Sequence, residues 1–405
     1  MASYTKVPAK NKQGYKWICT LEGPPDLTTG KRQQIVRRGE SQKEAYARAQ
    51  EEYKKLKKGV DSKKLRKLTF GEVADEWLRT YSKSNVKSGS IIARDVQVKL
   101  LKKYLGDTLL AKITHRLYQN FFNDCDDEGY ARNTMLGVNN TGNMIFKYAL
   151  KNKFITENPA TDVIVPRKEI TVEEIENKDI LIEEKYLDRS ELKNFLETVS
   201  IYGLEEEKEI FYLLAFSGFR PGEMCALKWP DLDFGNSRIR ITKTLLGTNR
   251  KKYVIDTPKT KKSVRIVPID SDIMSMMLIH QDEQAKRRTE EIKLLPDYHD
   301  AGFVFRNSSG YPYTVQSVRS RMYSLLKKTD IKKHATPHIF RHTYVSMLAE
   351  AGVDLKTIMS RVGHEDEKTT LLIYTHVTKK MQQDADLKIK NHYADIIKMS
   401  DLQDS

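Results

Sequence analysis

Cysteine is scarce in this chain of 405 residues: Cys19, Cys125 and Cys225 lie about a hundred positions apart and form no CxxC pair. That spacing suits a reducing compartment, with each thiol expected as a small buried apolar residue. Long hydrophobic runs are also missing, and none approaches the roughly 18 to 20 residues that cross a bilayer. The opening residues, MASYTKVPAK, lack the apolar stretch of a signal peptide. The chain is therefore expected to have no membrane partner and to stay where it is made. No HExxH stands anywhere. The nearest approach to a phosphate-binding loop, Gly23 to Lys31, has the wrong spacing and is followed by Arg32 instead of Ser or Thr. No metal and no cofactor are expected.

What is present is positive charge. The net charge is +15, with 39% hydrophobic and 31% charged residues, as in a soluble globular protein. Residues 1–70 alone hold 18 Lys and Arg against 7 Asp and Glu. A basic segment of that density favours a polyanion, of which nucleic acid is the commonest large one. The bland alternative is a solubilising face. The length predicts two or three domains.

The first, 1–62, reads as a short β-sheet plus a helix. GYKWICT alternates as a half-buried strand, KRQQIVRR is a second strand, and Ser41 caps the helix that ends at Gly59. A strand pair with long polar side chains fits a major groove, which makes Lys16, Arg32, Gln34 and Arg38 candidates for DNA contact. Residues 66–166 read as four helices, with Thr69 capping the first and Phe70, Val73, Trp77 and Leu78 on one face. Asn158-Pro159 and Pro166 end that unit. Residues 167–184 are acidic and weakly periodic, as in a linker. Asp188 caps the first helix of a larger region, 185–378, that is mixed α/β and mainly helical. A tail, 379–405, follows.

Three clusters in the last 220 residues carry chemistry. In AFSGFRPGEMCALKW, Gly218 ends one helix and Pro221 opens the next, which holds Arg220 at a sharp junction within reach of Glu223. In the second, RIRITKTLL and YVIDTPKT precede the basic turn KTKKS and a returning strand VRIVPID. Lys259 sits where strand becomes turn, with Lys261, Lys262 and Arg265 beside it; a basic tip of this kind is ordinarily solvated. In the third, TPHIFRHTYVSMLAEAGVDLKTIMSRVGHEDEKTTLLIYTHV, His338 and Arg341 share a helix face, His364 emerges at a break after Gly363, and Tyr374 lies among Leu371, Leu372 and Ile373.

The ordered set Arg220, Lys259, His338, Arg341, His364 and Tyr374 resembles the catalytic constellation of the tyrosine recombinases, the phage-integrase family. The resemblance covers essentially the whole chain. It implies a multidomain protein: an α+β arm-type DNA-binding domain, an all-α (SAM-like) core-binding domain, and a mixed α/β catalytic domain. Val362 stands where leucine is commoner and Ile339 where an acidic residue is often seen, but neither change removes a functional group.

The implied activity is site-specific recombination through a 3′-phosphotyrosyl intermediate, with Tyr374 as nucleophile and Glu223 orienting Arg220. Lys261 and Lys262 are further DNA-contact candidates. The implied partners are double-stranded DNA at arm and crossover sites, three further copies of the chain, and an accessory DNA-bending or direction factor, in a bacterial cytoplasm. A type IB topoisomerase and a catalytically inactive DNA-binding regulator are the rival readings.

Overall fold

The computed structural model describes residues 2–25, 32–57, 67–169, 171–247, 249–258, 263–363 and 367–393, apart from a few side chains such as that of Arg32. The chain divides into two compact units, Met1–Glu169 and Ile170–Ser405. It is mostly helical, with small antiparallel sheets.

In the first unit, β1 (Ala2–Pro8), β2 (Tyr15–Pro25) and β3 (Arg32–Gly39) form an antiparallel sheet in that order, and α1 (Gln42–Lys57) packs against it. Cys19, Ile35, Ala45 and Ala49 make its small core. The Ser41 hydroxyl accepts from the Glu44 amide at 3.2 Å, as a helix cap should. Two strands are expected here from the sequence; the third, β1, is added by pairing with β2 rather than by any apolar pattern of its own, since most of it is exposed.

Four longer helices follow: α2 (Phe70–Ser82), α3 (Ser88–Leu105), α4 (His115–Asp127) and α5 (Arg132–Lys151). A capping box opens α2, with the Thr69 hydroxyl accepting from the Glu72 amide and the Glu72 carboxylate accepting from the Thr69 amide. The apolar faces meet in an aromatic core in which Phe146 lies 5.4 Å from Phe70 and 5.2 Å from Tyr118, between ring centroids.

The second unit begins with two short helices, α6 (Val172–Glu176) and α7 (Lys178–Glu183), inside the stretch expected as a linker. Ile182 of α7 is buried against the C-terminal helices, so this acidic segment is folded onto its unit despite its weak periodicity. Then come α8 (Arg189–Tyr202), capped by Asp188 as expected, α9 (Glu207–Ser217) and α10 (Pro221–Cys225). Five strands follow: β4 (Leu232–Asp233), β5 (Arg238–Ile241), β6 (Thr244–Leu246), β7 (Val254–Asp256) and β8 (Arg265–Pro268). β6 and β7 form the expected hairpin, whereas β8 returns to β5 in a separate sheet ordered β4-β5-β8.

The remaining helices are α11 (Ser271–Leu294), α12 (Val315–Leu326), α13 (Ile339–Glu350), α14 (Leu355–Val362) and α15 (Glu367–Tyr393). The tail expected from residue 379 is a direct continuation of α15 as far as Tyr393. All three cysteines are buried free thiols. Among the described residues, no helix is long and apolar enough to cross a membrane.

Candidate active site

Two left-handed glycines shape the site. Gly218 closes α9 with φ +66°, and a Cβ there would meet the Tyr344 ring at 2.5 Å. Gly363 closes α14 with φ +84°. Only glycine takes such angles without steric cost, and both glycine carbonyls are thereby turned toward one side chain. Arg341 donates from Nη1 to the Gly218 carbonyl at 2.9 Å and from Nη2 to the Gly363 carbonyl at 3.2 Å. At 1% exposure, Arg341 joins turns 145 residues apart in sequence. The two arginines expected at the site differ in exposure, since the Arg220 side chain keeps 20% of its surface open.

Arg220 is the cap residue of α10, with Pro221 in the first turn. Glu223 reaches back, accepting from the Arg220 amide and from Arg220 Nη1, each at 3.0 Å. The same carboxylate accepts from Arg265, Nη1 to Oε1 at 3.1 Å and Nη2 to Oε2 at 2.8 Å. Burial works against the Glu223 charge, but the Arg265 hydrogen bonds and the two guanidinium charges outweigh it and hold its pKa below the usual carboxylate value.

Arg265 was expected at a solvated basic tip. It is instead buried on the inner face of β8 with Val267, while Val264 and Ile266 point outward at 50% and 60% exposure. A strand forms within VRIVPID as expected, but its faces are reversed: Arg265 takes the inner one because Glu223 and backbone carbonyls accept its hydrogen bonds. No periodicity marks that residue. No local signal links it to Glu223, from which it is far removed in sequence.

His338 caps α13 one turn before its neighbour His342, and their rings meet edge to face at 4.9 Å. His342 is not among the sequence candidates, although its i, i+4 spacing from His338 is visible in the sequence. Tyr374 lies partly buried on α15, beside a cluster that includes Tyr344, Val345, Ile358, Val362, Ile373 and Val377. That cluster seats α15 on α13 and α14, the helices that carry Arg341 and lead to Gly363. On the far side His376 stands 3.5 Å from both Asp179 and Glu183 of α7, and Lys380 pairs with Glu183 at 2.9 Å. Lys259, Lys261, Lys262 and His364 lie outside the described residues. Among the described residues, no group of three or more His, Cys, Asp or Glu side chains is arranged to hold a metal ion.

At the N-terminal sheet, the β2–β3 register sets Ile18 opposite Arg38 and Glu22 opposite Gln34. Lys16, Gln34 and Arg38 therefore share the face opposite the one that packs Cys19 and Ile35 on α1. Gln34 and Arg38 are exposed, and Lys16 pairs with Glu40 at 2.9 Å. Arg32 pairs with Pro25 at the start of β3, and its side chain is not described.

The phage integrase family profile matches residues 185–381, and the profile of the phage integrase N-terminal SAM-like domain matches residues 69–125. The integrase of Staphylococcus phage L54a is 31% identical over 363 residues, 85% of this chain and 98% of that protein. The Tn1549 transposon integrase in complex with transposon right end DNA aligns with a TM-score of 0.58 at 22% identity, covering 78% of this chain and 100% of that one. A lambda integrase tetramer bound to a Holliday junction aligns at 0.52 and 15% identity, covering 88% and 91%. At these identities the two structures speak for the fold. The matches favour the recombinase reading over a topoisomerase or an inactive regulator. The chain belongs to the phage integrase family, the tyrosine recombinases of phages and conjugative transposons that break and rejoin DNA at specific sites.

Proposed function

We propose that Tyr374 is the nucleophile of this recombinase and that Arg220, Arg341, His338, His364 and Lys259 surround the phosphodiester it attacks. The phenolic oxygen of Tyr374 forms a bond to phosphorus as the bond to the 5′ oxygen breaks, leaving a 3′-phosphotyrosyl ester. A tyrosine with an ordinary pKa of about 10 must lose its proton during attack. His338 accepts that proton, and Lys259 returns one to the departing 5′ oxygen. The reverse step, with a 5′ hydroxyl from another strand, rejoins DNA without an energy-rich cofactor.

Extra negative charge develops on the non-bridging oxygens in the transition state, where preorganised cations act most strongly. Arginine suits that task because its planar fork matches two phosphate oxygens. The single observation that carries this reading is Arg341 bridging Gly218 and Gly363, which draws the turns next to Arg220 and His364 together.

The three-domain layout is part of the proposal: residues 1–62 contact arm sites through the face bearing Lys16, Gln34 and Arg38, 66–166 hold the core site, and 185–378 cut. Four copies act together, because two duplexes present four strands. An accessory DNA-bending or direction factor completes the assembly.

A nicked suicide substrate carrying the crossover site tests the nucleophile. Wild-type protein is expected to trap a covalent adduct whose DNA-linked peptide contains Tyr374, and Tyr374→Phe is expected to bind the same DNA without forming one. An adduct formed by the Phe variant moves the nucleophile to another residue.

A further inference from the structure

We infer that Arg265 is a positioning residue for strand cleavage, orienting Arg220 and the turn that leads to His364. The inference deepens the proposed function and rests on its placing Arg220 at the scissile phosphate.

The Arg265 side chain is 6% exposed and touches three separate chain segments. Its two terminal nitrogens take one Glu223 oxygen each. Its Nε donates to the Arg361 carbonyl at 2.8 Å, and Nη1 also meets the Ser263 carbonyl at 3.2 Å. The guanidinium lies 5.9 Å from the centre of the Phe219 ring, and a Cβ placed on Gly363 would stand 3.6 Å from Nη1. One planar group thus ties the Arg220 segment to the end of α14 and to the start of β8.

The sharing of Glu223 gives this geometry its consequence. Each carboxylate oxygen accepts once from Arg265 and once from Arg220. The paired bonds from Arg265 fix the carboxylate plane, so toward Glu223 Arg220 presents one guanidinium nitrogen and its own amide. Without Arg265 the carboxylate is free to turn and take the Arg220 fork in two parallel bonds, the preferred geometry for such a pair. That would draw the Arg220 charge back from the scissile phosphate. A hydrophobic residue would suit the inner face of β8, where Val267 and its β5 partner Ile239 are buried, and a buried ion pair is seldom retained for stability alone. Lysine, a single point of charge, cannot copy all three attachments.

The test compares cleavage of two suicide substrates. One carries the ordinary phosphodiester, and the other a methylphosphonate in which a neutral methyl replaces a charged oxygen. Arg265→Lys is expected to bind DNA as the wild type does. It should cleave the phosphodiester more slowly by about tenfold to a hundredfold, below the loss from removing a direct donor. On the methylphosphonate the loss should nearly vanish, because less charge needs stabilising.

An equal loss on both substrates, or no loss on either, overturns the inference. A lysine variant that fails to fold or to bind DNA does so too, since Arg265 is then a folding residue. Arg220→Ala is the reference. If it is not relieved on the methylphosphonate, the reading of Arg220 itself fails; if it is relieved and Arg265→Lys is not, only the role of Arg265 is lost.

Discussion

The core of the four-helix region and the core beneath the candidate active site are built on opposite terms. In the first, Phe70, Phe122, Phe146 and Tyr118 pack ring against ring, and Thr141 is the buried polar residue there among the described residues. In the second, Glu206, Glu207, Glu223, Arg265, Arg306 and Arg341 are buried beside the apolar cluster. Rings stabilise through area and shape. Buried charges are tolerated only while each keeps its partners, but they hold direction in a way that rings cannot. The difference teaches where chemistry is kept: the helical core supports a surface, whereas the charged core aims side chains.

Breaking the apolar side is expected to give the largest effect on stability. Phe146→Ala should cost about 3–5 kcal/mol, with hydrogen exchange accelerated across α2 to α5 and unchanged in α9 and α13. Acceleration spread evenly over both units would show that the two cores are not independent.

The charged side should respond to pH. Burial pushes the Glu206 carboxyl up to about 7, against the partial relief of bonds from the Arg306 amide and Gln284. A carboxyl whose folded pKa exceeds its unfolded value binds protons on folding. Its stability contribution is therefore complete below the ordinary glutamate pKa and is lost as pH rises through 7, to the extent of about 3 kcal/mol by pH 8. Urea unfolding of Glu206→Gln at pH 5 and pH 8 should show a shallower decline than the wild type. Parallel declines would remove Glu206 as the source.

The smallest effect sharpens the comparison, because it is the same in both units. Thr69→Ala and Asp188→Ala each delete a capping box and should each cost about 1 kcal/mol. Denaturant midpoints and exchange in the first turns of α2 and α8 would measure this. A much larger loss at Asp188 would mean that its cap also supports the charged core.

Much of this molecule was legible because the signals are local. Thr69, Ser41 and Asp188 cap helices where their spacing to the next apolar run predicts. Gly218, Pro221 and Gly363 mark turns through their backbone limits. The pairing of β5 with β8 was not legible, because the intervening hairpin offers β8 a nearer partner in sequence. Nor was the helical content of 167–184, which acquires its order from Ile182 burying against the C-terminal helices.

The amino-acid order by itself determined which groups exist for catalysis, and where helices begin and end, because caps, turns and periodic faces act over a few residues. Tertiary structure alone decided that Arg341 lies buried between two glycine carbonyls and that Arg265 turns inward to share Glu223 with Arg220. A buried cation is stable only where distant acceptors converge on it. That convergence is a property of the folded chain, not of any stretch within it.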